Sequence, residues 1–137
     1  MIEFLHSDKL TDDEKYIRQT VFVDEQGFAE EFDDTDSRAV HIVMYSDKQP
    51  VGCCRLYESD NGFHIGRLAV LKLCRGKSFG EKIMLEAEKT AKSLGADSIT
   101  LSAQVRASGF YEKLGYIKYG DIYLDEFCEH IAMKKIL

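Results

Sequence analysis

Basic charge is scarce in this chain: 18 Lys and Arg against 24 Asp and Glu leave a formal net charge of −6 over 137 residues. Proteins that grip phosphate backbones do so with a basic patch that releases counterions, so this balance excludes a general nucleic-acid binder and suits a cationic partner better. Proline is scarcer still. The one proline, Pro50, lies in the turn-like run Ser46 to Pro50, and no repeat, low-complexity tract or Pro/Gly/Ser linker interrupts the rest. That predicts a single domain over residues 1–137. Long apolar runs are absent. Residues 1–10 carry Glu3, Asp8 and Lys9 around a short apolar stretch, which fits neither a signal peptide nor a membrane span, so the expected location is the cytoplasm, away from membranes. No C-x-x-C occurs, and Cys53, Cys54, Cys74 and Cys128 are not spaced with histidine as zinc ligands are. Reduced, partly buried thiols and no metal are the expectation. A redox role for the Cys53–Cys54 pair is disfavoured, since neither residue has a basic helix start beside it.

What is present is an ordinary globular composition, 45% apolar and 31% charged with 8 Phe and 7 Tyr, enough to build a core. Ile2 to Leu5 reads as a strand. Thr11 to Gln26 reads as a helix capped by Thr11, with Ile17, Val21 and Phe22 on its apolar face. Three β-rich runs follow, Val40 to Tyr45, Val51 to Tyr57 and Phe63 to Leu71, joined by turn residues as in an antiparallel meander. Ile83, Met84, Ala87, Ala91 and Leu94 mark a long helix that Gly95 terminates. Ser98 to Ala103 is a strand, Ala107 to Leu114 a short helix ended by Gly115, and Tyr116 to Leu124 with His130 to Ile136 a closing pair of strands. The order β-α-βββ-α-β-α-ββ predicts an α/β (α+β) fold: a mixed, mostly antiparallel sheet of about six to seven strands flanked by helices. The strands on either side of the long helix are expected to be parallel, because a right-handed crossover joins them.

Between Arg67-Leu68-Ala69-Val70-Leu71 and the long helix lies Arg75-Gly76-Lys77-Ser78-Phe79-Gly80. Free N–H groups and the positive dipole end at such a helix start form an anion site, to which Arg75 and Lys77 add charge. The same residues also fit a plain turn, with Ser78 as N-cap and Glu81 completing a capping box. A Walker A loop is excluded because Leu71 stands where its first glycine is needed, and no G-x-G-x-x-G is present.

The turn from Arg75 to Gly80 resembles the R/Q-x-x-G-x-G/A signature of the GNAT superfamily of N-acetyltransferases, with Ser78 at the middle glycine. Gln104-x-x-Ala107-x-x-Phe110-Tyr111-Glu112-Lys113-Leu114-Gly115-Tyr116 resembles the second hallmark of that family, with Gln104 in place of asparagine. Val21 to Gln26 is similar to the small bacterial ElaA-like branch. The resemblance implies the GNAT fold, splayed between strands 4 and 5, with the pantetheine arm of acetyl-CoA lying there against Leu68, Ala69 and Val70. It implies a pyrophosphate on Arg75, Gly76, Lys77, Ser78, Phe79 and Gly80, with Gln104 and Phe110 also on the cosubstrate side. Ser78 would either crowd the phosphate with its Cβ or donate to it.

The implied reaction is attack of an unprotonated amine on the thioester, with an N–H-stabilised oxyanion and a proton delivered to the leaving thiolate. Tyr111 matches the family's proton donor. Glu25, His41, His64, Glu126 and His130 are candidates for the base, with His130 and Glu25 on the expected acceptor side. Two rival roles remain in view: an acyl-CoA-binding sensor without turnover, and the redox protein already disfavoured. Seven carboxylates within residues 24–36 (Asp24, Glu25, Glu30, Glu31, Asp33, Asp34, Asp36), unaccompanied by Lys or Arg, lack calcium-loop order. They predict either a solvated acidic loop or attraction of a cationic amine, on a small molecule or peptide. A homodimer is among the assemblies left open.

Overall fold

The computed structural model describes residues 1–137. Seven strands form one sheet: β1 (Ile2–Ser7), β2 (Val40–Ser46), β3 (Gln49–Ser59), β4 (Gly62–Val70), β5 (Ser98–Gln104), β6 (Ile117–Asp125) and β7 (Cys128–Ile136). Three α-helices accompany it, α1 (Asp12–Arg18), α2 (Phe79–Ser93) and α3 (Ser108–Lys113). The spatial order is β1-β2-β3-β4-β5-β7-β6, antiparallel except where α2 carries the chain from β4 to a parallel β5. This is the mixed sheet expected from the element order. No helix is long and apolar enough to cross a membrane.

The parallel seam is short. Only Phe63–Ile99 and His64–Thr100 are in register, and beyond them β4 and β5 separate. A bulge helps bend β4 away: between the pairs Arg55–Gly66 and Cys53–Ala69, Arg67 and Leu68 together face Cys54, and Arg67 adopts φ 51°. Pro50 sits near the start of β3 opposite Tyr45, where the register with β2 slips, so its missing N–H interrupts no regular ladder.

Apolar residues at helical spacing bury two cores, one on each face of the sheet. Ile83, Met84, Ala87 and Ala91 of α2 pack on Ile42, Met44, Leu56 and Ile99. Gly52 marks the closest approach, since a Cβ there would meet Ile83 Cδ1 at 2.6 Å and the Ala69 carbonyl at 2.7 Å. On the other face Ile17, Val21, Phe22 and Phe28 pack on Val43, Cys53 and Ala69. The helix expected over Thr11 to Gln26 changes pitch midway. Thr11 does cap α1, accepting from Glu14 N–H, but Gln19–Glu25 winds as a wider π-helix ending at Gln26. Sequence periodicity does not distinguish the two, because Val21 and Phe22 face the core in either.

A buried ionic network ties this helical segment to the sheet. Arg18 bonds Glu14, Glu31 and Asp36, Arg55 bonds Asp33 and Asp36, and Arg67 pairs with Glu31 and Asp33. His41 places Nδ1 2.9 Å from a Glu14 carboxylate oxygen and Nε2 2.9 Å from the Asp36 carbonyl. Both partners only accept, so both ring nitrogens carry protons and His41 is an imidazolium. Four carboxylates thus face three guanidiniums and one imidazolium.

Candidate active site

The separation of β4 from β5 opens a cleft of about 590 Å³. Leu68, Ala69 and Val70 form its β4 wall and Gln104 its β5 wall. Leu71 N–H bonds the Val51 carbonyl, so by strand alternation Ala69 also turns its backbone to β3, while Leu68 and Val70 turn theirs toward the cleft. Arg75, Gly76, Ser78, Phe79 and Gly80 close one end, and Phe110, Tyr111 and His130 also line it. Lys77 is exposed and does not line the cleft.

At the closed end the chain reaches α2 through an unusual conformation. Ser78 precedes the helix at φ 63°, in the left-handed region, and its side chain caps nothing. The capping box expected with Glu81 is therefore absent, because an N-cap needs an extended backbone and Ser78 does not have one. The first intrahelical bond runs from Lys82 N–H to the Ser78 carbonyl, leaving the N–H groups of Phe79, Gly80 and Glu81 before it. Gly76 takes φ 82°, open to glycine at little cost. Gly80 has a packing reason instead: a Cβ there would lie 3.3 Å from Phe110 Cζ.

Arg75 is not a loose cation. Its Nε donates to the Val70 carbonyl at 2.9 Å, and its two terminal nitrogens grip Glu25 at 2.7 and 2.8 Å. The hydrogen bond from Arg75 holds the Glu25 carboxyl below its usual range. Next to Glu25, Gln26 accepts from Gln104 Nε2 at 2.8 Å, and Arg106 donates to Gln104 Oε1 at 2.9 Å. The π-helix is thereby fastened to both walls of the cleft.

Among the base candidates, the surroundings differ sharply. His130 is buried, and its Nδ1 lies 3.0 Å from the Cys128 carbonyl. A carbonyl only accepts, so Nδ1 carries a proton, and Nε2 has no hydrogen-bond partner within the chain. The ring is held between Tyr123, stacked at 6.0 Å, and the edge of Phe28 at 6.4 Å. His41 lies in the ionic network, outside the cleft. His64 meets Ser59 Oγ at 2.7 Å and stacks on Tyr57, and burial lowers its pKa. Glu126 accepts the Ala29 and Glu30 N–H groups, which lower its pKa. The Tyr111 hydroxyl lines the cleft without a hydrogen bond to any other residue, and burial pushes its pKa up, keeping the phenol protonated.

The acidic stretch is largely compensated. Glu25, Glu31, Asp33 and Asp36 are all engaged by arginines from α1, β3, β4 and the turn before α2. Asp24, Glu30 and Asp34 form no ion pair, and of these three Glu30 lines the cleft. No local pattern signals this, since Arg18, Arg55, Arg67 and Arg75 are scattered along the chain. Sequence reasoning also missed Phe22, Phe28, Arg67, Ser102 and Asp125 as lining residues. Gln26 closes the Val21 to Gln26 stretch that carried a family likeness, which was its one signal. Cys53 and Cys54 are fully buried, and burial raises both thiols, contrary to what a redox pair requires.

Comparison with known proteins agrees with this geometry. Residues 8–137 match the family model described as an acetyltransferase (GNAT) domain. YjcF of Bacillus subtilis (strain 168), named an uncharacterized N-acetyltransferase, is 37% identical over 123 residues, covering 88% of each chain. The crystal structure of Escherichia coli ElaA superposes with a TM-score of 0.85 at 27% identity, covering 98% of this chain and 99% of that one. An acyl-CoA N-acyltransferase from Pseudomonas aeruginosa gives 0.86 at 26% identity, with 98% and 99% covered.

Proposed function

Because the chain belongs to the GNAT acetyltransferase family, we propose that it moves the acetyl group of acetyl-CoA to a primary amine in the splayed cleft, with His130 as base and Tyr111 as acid. The observation that carries this reading is the convergence on one cleft of a free imidazole nitrogen, an unpartnered phenol and the helix start at Ser78–Gly80. The N–H groups opening α2 suit a pyrophosphate, and the Leu68 and Val70 backbones suit the pantetheine amides. Gln104 and Phe110 flank the same arm, while Glu25 acts through Arg75 as a strut and not as a base. His130 Nε2 takes the proton of the incoming ammonium. The amine nitrogen then bonds the thioester carbon, an N–H facing the cleft from β4 stabilises the oxyanion, and the C–S bond breaks as Tyr111 protonates the thiolate, while the second proton of the adduct nitrogen passes through water to the tyrosinate and restores the phenol.

The acceptor is a small molecule or peptide amine, and the unpaired Glu30 favours a cationic one over a neutral one. Nucleic acid and membrane are not partners in this reading, no metal takes part, and the four free thiols suit the reducing cytoplasm. A silent acyl-CoA sensor would use the same cleft but has no need of an oriented histidine and a free phenol lining it. Purified protein given acetyl-CoA and a panel of amines, with free thiol as the readout, tests the proposal. Amine-dependent thiol release supports it, and binding without release would favour the sensor.

A further inference from the structure

A second pocket of about 270 Å³ adjoins the cleft, and the residues lining both include Arg67, Leu101, Ser102, Asp125 and His130. Two ring pairs flank it. Tyr57 and His64, on β3 and β4, stack with centroids 5.0 Å apart, and Tyr123 and His130, on β6 and β7, stack at 6.0 Å. Thr100 and Ser102 of β5 lie between the pairs, and the Ser102 hydroxyl meets that of Tyr123. Such a volume, about nine waters' worth, suits a small metabolite and not a folded protein surface.

The charge in this pocket is simple to assign. Arg55 is paired with Asp33 and Asp36, and Arg67 with Glu31 and Asp33. Asp125 has no ion pair and no side-chain hydrogen bond, so it is the uncompensated charge of the lining. It follows Tyr123 by two residues on β6, and Tyr123 is the register partner of His130. The carboxylate thus stands roughly 7 Å along the strand from the imidazole.

We propose that this pocket receives the acceptor and that Asp125 binds a second cationic group on it, making small diamines and related dications the substrate class. Tyr57 already carries Arg38 and Arg55 over its ring, so the aromatic contact to the cation and its methylene stem falls to the Tyr123 side, next to Asp125. The inference rests on the acetyltransfer reading of the main cleft. The reaction itself is unchanged: one N–C bond forms at the amine beside His130 and one C–S bond breaks, while the distal ammonium stays protonated at Asp125.

The experiment compares unbranched α,ω-diamines of increasing length with n-alkylamines of equal carbon count, reading thiol release and the acetylated product. Wild type should prefer the diamine by roughly fivefold in kcat/KM at one chain length, as a partly exposed ion pair gives. Added salt should narrow that gap. Asp125→Asn should bring the ratio near unity while melting at the wild-type temperature, and Asp125→Lys should shift preference toward amines bearing a carboxylate. An unchanged ratio in Asp125→Asn, or a wild type that prefers neutral or monocationic amines, overturns this assignment alone. No turnover with any amine overturns the transferase reading together with it.

Discussion

Glu25 and Arg75, fifty positions apart, meet as a two-pronged ion pair at 2.7 and 2.8 Å, while the same guanidinium holds the Val70 carbonyl. Both side chains are partly exposed, 32% for Glu25 and 40% for Arg75, so the pair acts less through stability than through position. It fixes the π-helix against the end of β4, where acetyl-CoA is expected to enter. Glu25→Ala and Arg75→Ala should each weaken acetyl-CoA binding by about three- to tenfold, and the double variant should be no worse than the weaker single one. Calorimetry decides this; tighter binding in Glu25→Ala would mean that Arg75 is released to grip the phosphates itself.

Tyr111→Phe removes one hydroxyl and keeps the ring that packs edge-on against Phe110 and Tyr116. It should lower kcat by about 10²- to 10⁴-fold with little change in acetyl-CoA affinity. His130→Gln should lower kcat to a similar degree. Full turnover in either variant, measured with a confirmed acceptor, would transfer its role to another group or to water.

Ser78 occupies a left-handed backbone conformation that costs a non-glycine residue about 1–2 kcal/mol. Part of that is offset because serine is less flexible than glycine when unfolded. Ser78→Gly should therefore raise the melting temperature by about 3 °C. Its acetyl-CoA affinity should be unchanged or tighter, and a marked loss would assign the Ser78 hydroxyl to the phosphate.

His41 gives the protein a pH-dependent stability. Burial opposes its charge, but the Glu14 carboxylate and the Asp36 carbonyl outweigh it and raise the folded pKa above the reference of 6.5. The stabilisation is thus fully present below the unfolded pKa and is lost as pH rises through the folded one. Urea unfolding between about pH 6 and 8, below the range where thiols and phenols titrate, should show falling stability in the wild type. In His41→Gln the curve should be lower and flatter, and an equal slope in both proteins would contradict the imidazolium.

Much of this architecture is legible in the residues themselves. The apolar spacing of Ile83 to Ala91, the turn residues around Asn61-Gly62 and the parallel crossover all reappear in the fold, and the strand ends shift by only a few residues. Local pattern failed where long-range partners decide. Ser78 and Glu81 spell a capping box, yet the turn that joins β4 to α2 forces Ser78 left-handed. The carboxylates from Asp24 to Asp36 look like a free acidic loop because their arginines lie in other elements. Asp125 carries no local signal at all; it matters because β6 folds beside β7 and so brings it to the pocket that His130 lines.

The most direct test follows the acetyl group itself. Purified protein is given acetyl-CoA labelled in the acetyl carbon together with the diamine series, and the label is traced as thiol is released. The expected result is label on the amine nitrogen in step with free CoA, strongly reduced in Tyr111→Phe. Intact thioester across every amine, from a protein that binds acetyl-CoA in the cleft, would contradict it.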